Sequence, residues 1–362
     1  MQRKWVILAI FGLTGSNCTE QAATTQSERR TEGKEMVEQS LHGVEFRFIE
    51  TNGIRMRIAE AGTDGPLVLF AHGWPESWYS WRHQIPALAA AGYRVVVPEM
   101  RGYGQTDAPE NIDAYNVVEL AADMVGILDA VGVDKAIIVG HDWGAPVATH
   151  SVLLHPTLFF GSGDDERSLW GPRRPFTHGG NASKLRRQFF LHPLPQRTGG
   201  VAESEYDGDP RGLLSRLYLS PDSPREDPTI HDPKRAAGGW IPRLGAPKGL
   251  PEWLSQEDLD YYVKQFEHSG FRGGVNYYRN IERNWEVTAH LADAVIDVPT
   301  LFLAGERDMV IAGASAANLR SRIGRGVTDL RDIVLIPGIG HWVQQEAPDE
   351  TNRALLDFLD HL

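Results

Sequence analysis

The stretch AIIVGHDWGAP, residues 136–146, decides how the rest of the chain is read. Its first residues form a β-branched apolar run suited to a buried strand, and glycines and a proline then announce a tight turn and a helix starting near Pro146. Gly140-His141-Asp142-Trp143-Gly144 has the G-x-nucleophile-x-G spacing in which a strained strand-to-helix turn lifts the apex side chain above a sheet. The apex is Asp142, where a serine would suit acyl transfer. A carboxylate in this place can attack a saturated carbon bearing a leaving group and form an ester with the protein. The positive end of the following helix favours its ionised form. A helix N-cap would also explain an aspartate here. The preceding strand and the partners below outweigh that reading.

Those partners follow in order. Asp308 ends the apolar run VPTLFLAGERD (298–308), and His341 follows DIVLIPGIG (332–340). Separately they read as a turn aspartate and a core histidine. Together, in the chain order nucleophile, acid, histidine, they form a hydrolytic triad in which His341 activates water and Asp308 orients it. The loop after PLVLFAHG (66–73) contributes Trp74, whose backbone N–H would join that of Trp143 in an oxyanion hole, and a cis Trp74-Pro75 bond fits so tight a turn.

The surrounding elements alternate. VEFRFIE and IRMRIAEAG are joined by a Thr51-Asn52-Gly53 hairpin turn, and apolar strands then alternate with helical segments such as VVELAADMVGILDAVG (117–132), as in a mostly parallel sheet covered on both faces. A Pro-, Gly-, Arg- and aromatic-rich stretch separates the two halves, and a helical cap over the carboxyl ends of the strands is the simplest place for it. The expected domains are a leader and tether (1–42), a core (43–170), a cap (171–286) and the rest of the core (287–362). The 362 residues, 41% hydrophobic, can bury a sizeable core. A formal charge of −12 without a basic stripe argues against nucleic acid, and a single cysteine excludes a disulfide framework or cysteine-based metal site. The other histidines lack metal-ligand spacing and no phosphate-binding glycine loop occurs, so neither metal nor cofactor is expected, and no stable protein partner is implied.

At the N-terminus, Gln2-Arg3-Lys4 precedes the apolar WVILAIFGL (5–13), the layout of an export signal too short for a membrane span. Cys18 would be the site of a lipid anchor, although Asn17 is a poor residue before it. The expectation is an exported protein, whether periplasmic, secreted or lipid-anchored. The alternative is a cytoplasmic one with a mis-set start.

HGWPESWYSWRHQ (72–84), RGYGQTDAP (101–109), GHDWGAPVA (140–148), the long stretch 253–285 ending NYYRNIERNW, and GIGHWVQQEAP (338–348) resemble the epoxide hydrolases of the α/β-hydrolase fold. The resemblance covers most of residues 43–158 and 197–362. It implies a small-molecule epoxide and water as substrates, an aspartyl ester on Asp142, release of a vicinal diol, and two cap tyrosines that hydrogen-bond the epoxide oxygen and protonate it. One of them is Tyr278, whose phenol is protonated at neutral pH. Its neighbour Tyr277 is expected to pack.

The second tyrosine should precede GGVAESE, yet FFLHPLPQRTGGVAE (189–203) has none. A core strand should follow the elbow helix, yet FFGSGDDERSLWGPRRPF (159–176) turns polar after Phe160. Two compensating frame changes would explain both departures. With suitable synonymous codons, a one-base offset through residues 163–170 reads Ala-Thr-Met-Ser-Val-Pro-Tyr, and through FFLHPL (189–194) it ends on a tyrosine at the Leu194–Pro195 boundary. Read literally, the segment leaves sheet edges unpaired and one proton donor missing. Two other readings share the triad or the pocket: a haloalkane-type dehalogenase using Trp143 as a halide donor, and a catalytically silent binding protein.

Overall fold

Asn52 and Gly53 both adopt positive φ, 42° and 74°, the geometry a two-residue hairpin turn requires. They join strands β2 (Glu45–Thr51) and β3 (Ile54–Ala61) in register from Thr51↔Ile54 to Glu45↔Glu60. The computed structural model describes residues 7–10, 41–160, 200–231, 240–311 and 313–362. Residue Phe160 apart, the segment 160–195 lies outside that description, as does Cys18.

The chain continues through β4 (Leu67–Ala71), helix α1 (Gln84–Ala90), β5 (Arg94–Pro98), α2 (Val117–Val131), β6 (Ala136–His141) and α3 (Gly144–Leu154). Helix α2 starts where the Asn116 side chain accepts the N–H groups of Val118 and Glu119, and stops at Gly132 in the left-handed conformation. Beyond the cap, β8 (Thr300–Gly305) and β9 (Leu330–Ile336) extend the sheet. β3 joins β5 antiparallel, and from β5 outward through β4, β6 and β8 to β9 all pairings are parallel. Every residue of β4, β6 and β8 is buried, as a sheet covered on both faces demands. The architecture is the α/β-hydrolase fold. Helix α3 begins at Gly144, two residues earlier than the proline suggests.

The column between β6 and β8 is filled in an unexpected way. Strand β7 is only Phe159–Phe160, opposite Ala136 and Ile137. The column is then continued by β1 (Ile7–Ile10), which pairs parallel with Val139–His141 on one side and Thr300–Phe302 on the other. The literal sequence leads one to expect unpaired edges there; instead part of the apolar N-terminal run supplies the backbone partners that buried N–H and C=O groups need.

The cap carries α4 (Val201–Tyr206), α5 (Pro210–Leu217), α6 (Gln256–Ser269), α7 (Arg272–Arg279) and α8 (Ile281–Val287). A capping box between Ser255 and Asp258 starts α6. The cap is pinned to the loop after β4: the Trp78 indole donates to the Tyr261 hydroxyl at 2.7 Å, the Tyr79 hydroxyl to Asp258 at 2.7 Å, and the Tyr218 hydroxyl to the Pro75 carbonyl.

Candidate active site

Strand β6 delivers Asp142 at a φ of 51°, left-handed backbone that costs a non-glycine residue about 1–3 kcal/mol. Its neighbours make the turn possible. A Cβ on Gly140 would lie 2.2 Å from the Gly144 carbonyl oxygen, and one on Gly144 would lie 2.0 Å from that of Ala71. Only hydrogen at both positions lets the helix start so close to the strands.

The two oxygens of Asp142 face different groups. Oδ1 accepts the backbone N–H of Trp74 at 2.7 Å. Oδ2 stands 3.7 Å from Nε2 of His341. Nδ1 of His341 is 3.0 Å from Oδ2 of Asp308, whose other oxygen accepts the N–H of Val310 at 2.8 Å. The three residues expected from strand-end spacing therefore meet in one line. The Trp74-Pro75 bond is cis. Trp143 heads into α3, and its ring stands edge-on to that of Tyr278, 5.1 Å between centroids. Trp74 packs edge-on against Tyr278 from another side at 5.5 Å. Tyr277, by contrast, donates its hydroxyl to the Arg101 carbonyl at 3.2 Å, a packing role.

Burial pushes the Asp142 carboxyl up to about 6, against the opposing pull of His341, His141 and the Trp74 amide. Burial would depress His341, but the Asp308 carboxylate and its hydrogen bond override it, Asp142 adds to them, and the imidazole rises to about 9. The phenol of Tyr278 is held well above its ordinary range by burial and by the Asp142 charge.

Sequence reasoning passed over a second layer. Nδ1 of His141 meets Oε1 of Glu76 and its Nε2 is 2.9 Å from the backbone carbonyl of His341. Glu76 also accepts the Gly73 N–H at 3.1 Å and the Gln344 side-chain amide at 3.0 Å. Burial opposes ionisation of Glu76, yet the His141 charge and hydrogen bond prevail and lower its pKa. This pair fixes the loop that carries Trp74 to the loop that carries His341. The signal was available: a glutamate two residues after one oxyanion donor, and a histidine directly before the nucleophile.

Among the described residues no group of three or more His, Cys, Asp or Glu side chains is disposed to hold a metal ion.

Residues 66–159 match the family model of the α/β-hydrolase fold. The chain is 44% identical to epoxide hydrolase A of Mycobacterium tuberculosis over 322 residues, which is 87% of this chain and 97% of that protein. It is 36% identical to epoxide hydrolase 1 of Siraitia grosvenorii, over 87% of this chain and 98% of the other. Among solved structures, epoxide hydrolase A from Mycobacterium thermoresistibile superposes with a TM-score of 0.72 at 43% identity, covering 88% of this chain and 98% of that one. A Vigna radiata epoxide hydrolase gives 0.73 at 34% identity, covering 89% of this chain and 100% of the other. With the fold, the elbow and these relatives in agreement, the chain belongs to the epoxide hydrolases of the α/β-hydrolase fold.

Proposed function

We propose that the protein opens epoxides to vicinal diols through an ester on Asp142. The observation that carries this is the divided carboxylate: Oδ1 is held by the Trp74 amide while Oδ2 is turned toward His341 without a close bond. Oδ2 attacks an epoxide carbon, the C–O bond of the ring breaks, and a phenol proton, from Tyr278 in this reading, converts the released alkoxide to a hydroxyl. The ester carbonyl oxygen is then Oδ1, already seated in the oxyanion hole, with the Trp143 amide as its second donor.

Esterification removes the charge on Asp142, one of those holding His341 protonated. The pKa of His341 therefore falls once the ester exists, and more of the imidazole is neutral and free to accept a proton from water when a base is needed. Water attacks the acyl carbon. One of its protons passes by way of His341 to the departing alkoxide, and the other restores the phenol. Asp142 regains its charge and the diol leaves. Aromatic walls from Trp74, Trp143, Trp240 and Tyr278 suit an apolar epoxide bearing an aryl or alkyl group. His341→Gln incubated with styrene oxide tests the scheme: a mass gain equal to the epoxide, on the peptide containing Asp142, is expected. Turnover in the variant at the parent rate, with no adduct, would overturn it.

A further inference from the structure

The chain has ten tyrosines, and none lies between Phe160 and Gly200. A second hydroxyl beside Tyr278 would therefore come from elsewhere in the chain, and the bonding of the cap tyrosines narrows the choice. Tyr218 donates to the Pro75 carbonyl, and Tyr277 donates to that of Arg101. Tyr261 is bonded to the Trp78 indole and to Gln265, and Tyr262 to Gln345 and Ser80. Tyr206 differs: it is fully buried, and its hydroxyl has no hydrogen-bond partner among the described residues. A buried donor without a partner is rare in a native fold and needs an explanation.

Its position supplies one. Helix α4, which ends in Tyr206, runs antiparallel to α7, which carries Tyr278. At one end the Arg279 guanidinium, next to Tyr278 in the chain, forms a two-pronged ion pair with Glu203. At the other, the Phe271 N–H donates to Asp207 at 2.8 Å. Tyr206 sits between these clamps. Its ring lies 6.0 Å from that of Trp74, the same indole that Tyr278 contacts at 5.5 Å and whose backbone holds the nucleophile. Trp240 and Phe271 also pack against its ring, at 5.6 and 5.8 Å between centroids. Burial and the Asp142 charge keep Tyr278 protonated, and Tyr206 adds a smaller push in the same direction.

One further tyrosine hydroxyl, that of Tyr103, is buried and unpartnered. It belongs to the core and is pressed under α7, where a Cβ on Gly274 would stand 2.6 Å from it. The backbone of α7 therefore closes that side of its hydroxyl.

We propose that Tyr206 is the second hydroxyl of the site and, with Tyr278, hydrogen-bonds the epoxide oxygen. As the ring opens, one phenol gives its proton to the alkoxide and the other stabilises the resulting phenolate by a hydrogen bond until the hydrolytic water returns the proton. The role rests on the epoxide-hydrolase reading above.

The test is the single-turnover rate of ester formation from styrene oxide in the full chain, measured in parallel for Tyr206→Phe, Tyr278→Phe, the double variant and Tyr103→Phe. Tyr206→Phe should slow ester formation at least ~10-fold, less than the about 10²–10⁴-fold of a sole general acid because Tyr278 remains, and leave hydrolysis of the formed ester unchanged. Its melting temperature should stay level or rise, because a hydroxyl without a partner is being removed. A purely structural role would give the reverse pattern, a lower melting temperature with normal ester formation. The double variant should form no detectable ester, and Tyr103→Phe should match the parent. Parent-like ester formation in Tyr206→Phe, or a loss in Tyr103→Phe instead, overturns the assignment while leaving the reaction standing. Absence of any ester in the parent chain overturns the reaction itself.

Discussion

On the floor of the site each polar atom of Asp142, Asp308 and His341 faces another group of the protein, whereas on the roof the Tyr206 hydroxyl is left waiting. The floor is built at the ends of buried parallel strands, braced by the Glu76–His141 pair, and is complete before any substrate arrives. The roof is assembled from short helices held by side-chain ion pairs and ring contacts, and it is completed only by a ligand oxygen. Charge explains the contrast. The floor must hold carboxylates and an imidazole in a dry place, which requires that each be bonded. Toward the site the roof presents neutral phenols, for which an unfilled place is tolerable.

Substitutions can break that comparison. On the floor, Asp142→Ala should lower kcat by roughly 10⁴–10⁶-fold, the scale seen when a nucleophile is removed from a triad. Retained diol formation in that variant would mean the floor is not where the covalent step occurs. Next, His341→Gln should slow turnover about 10²–10⁴-fold with the ester as the species that accumulates, visible as the adduct described above. On the roof, Tyr278→Phe should cost about 10²-fold in ester formation and nothing in ester hydrolysis. Equal damage to both steps would show that roof and floor are not separable.

Two smaller effects sharpen the picture. Glu76→Gln leaves His141 without its carboxylate in a fully buried place, and the loss of one member of such a pair costs about 3–5 kcal/mol, to be read from the urea unfolding midpoint. The pH dependence has two parts. Activity should fall as pH drops through about 6, where the nucleophile becomes protonated. For stability, His341 rises from 6.5 unfolded to about 9 folded, so its contribution is fully present below 6.5 and is lost as pH climbs through about 9. The melting-temperature difference between the parent and His341→Gln should shrink across that interval. A constant difference would show that His341 is not held charged by its carboxylates.

The sequence announced the floor because each of its members terminates an apolar strand. Glycine spacing around Asp142, and the placement of Asp308 and His341 after buried runs, are local signals, and the hairpin at Asn52-Gly53 is equally local. What it did not announce depends on tertiary neighbours. Glu76 and His141 look unremarkable until two distant loops bring them together. Tyr206 reads as one more aromatic on a short helix, and its want of a partner exists only in the folded cap. Four apolar residues at Ile7–Ile10 carry no periodicity that separates a strand from a leader.

That last segment has a consequence for the life of the molecule. Residues 7–10 are a sheet strand, so any cleavage beyond Ile10 would take a strand out of the sheet. A processed chain would present a slot along Val139–His141 and Thr300–Phe302, directly beneath the nucleophile turn. Once the sheet has closed, the backbone of this segment is engaged on both edges and is no longer free for any other partner.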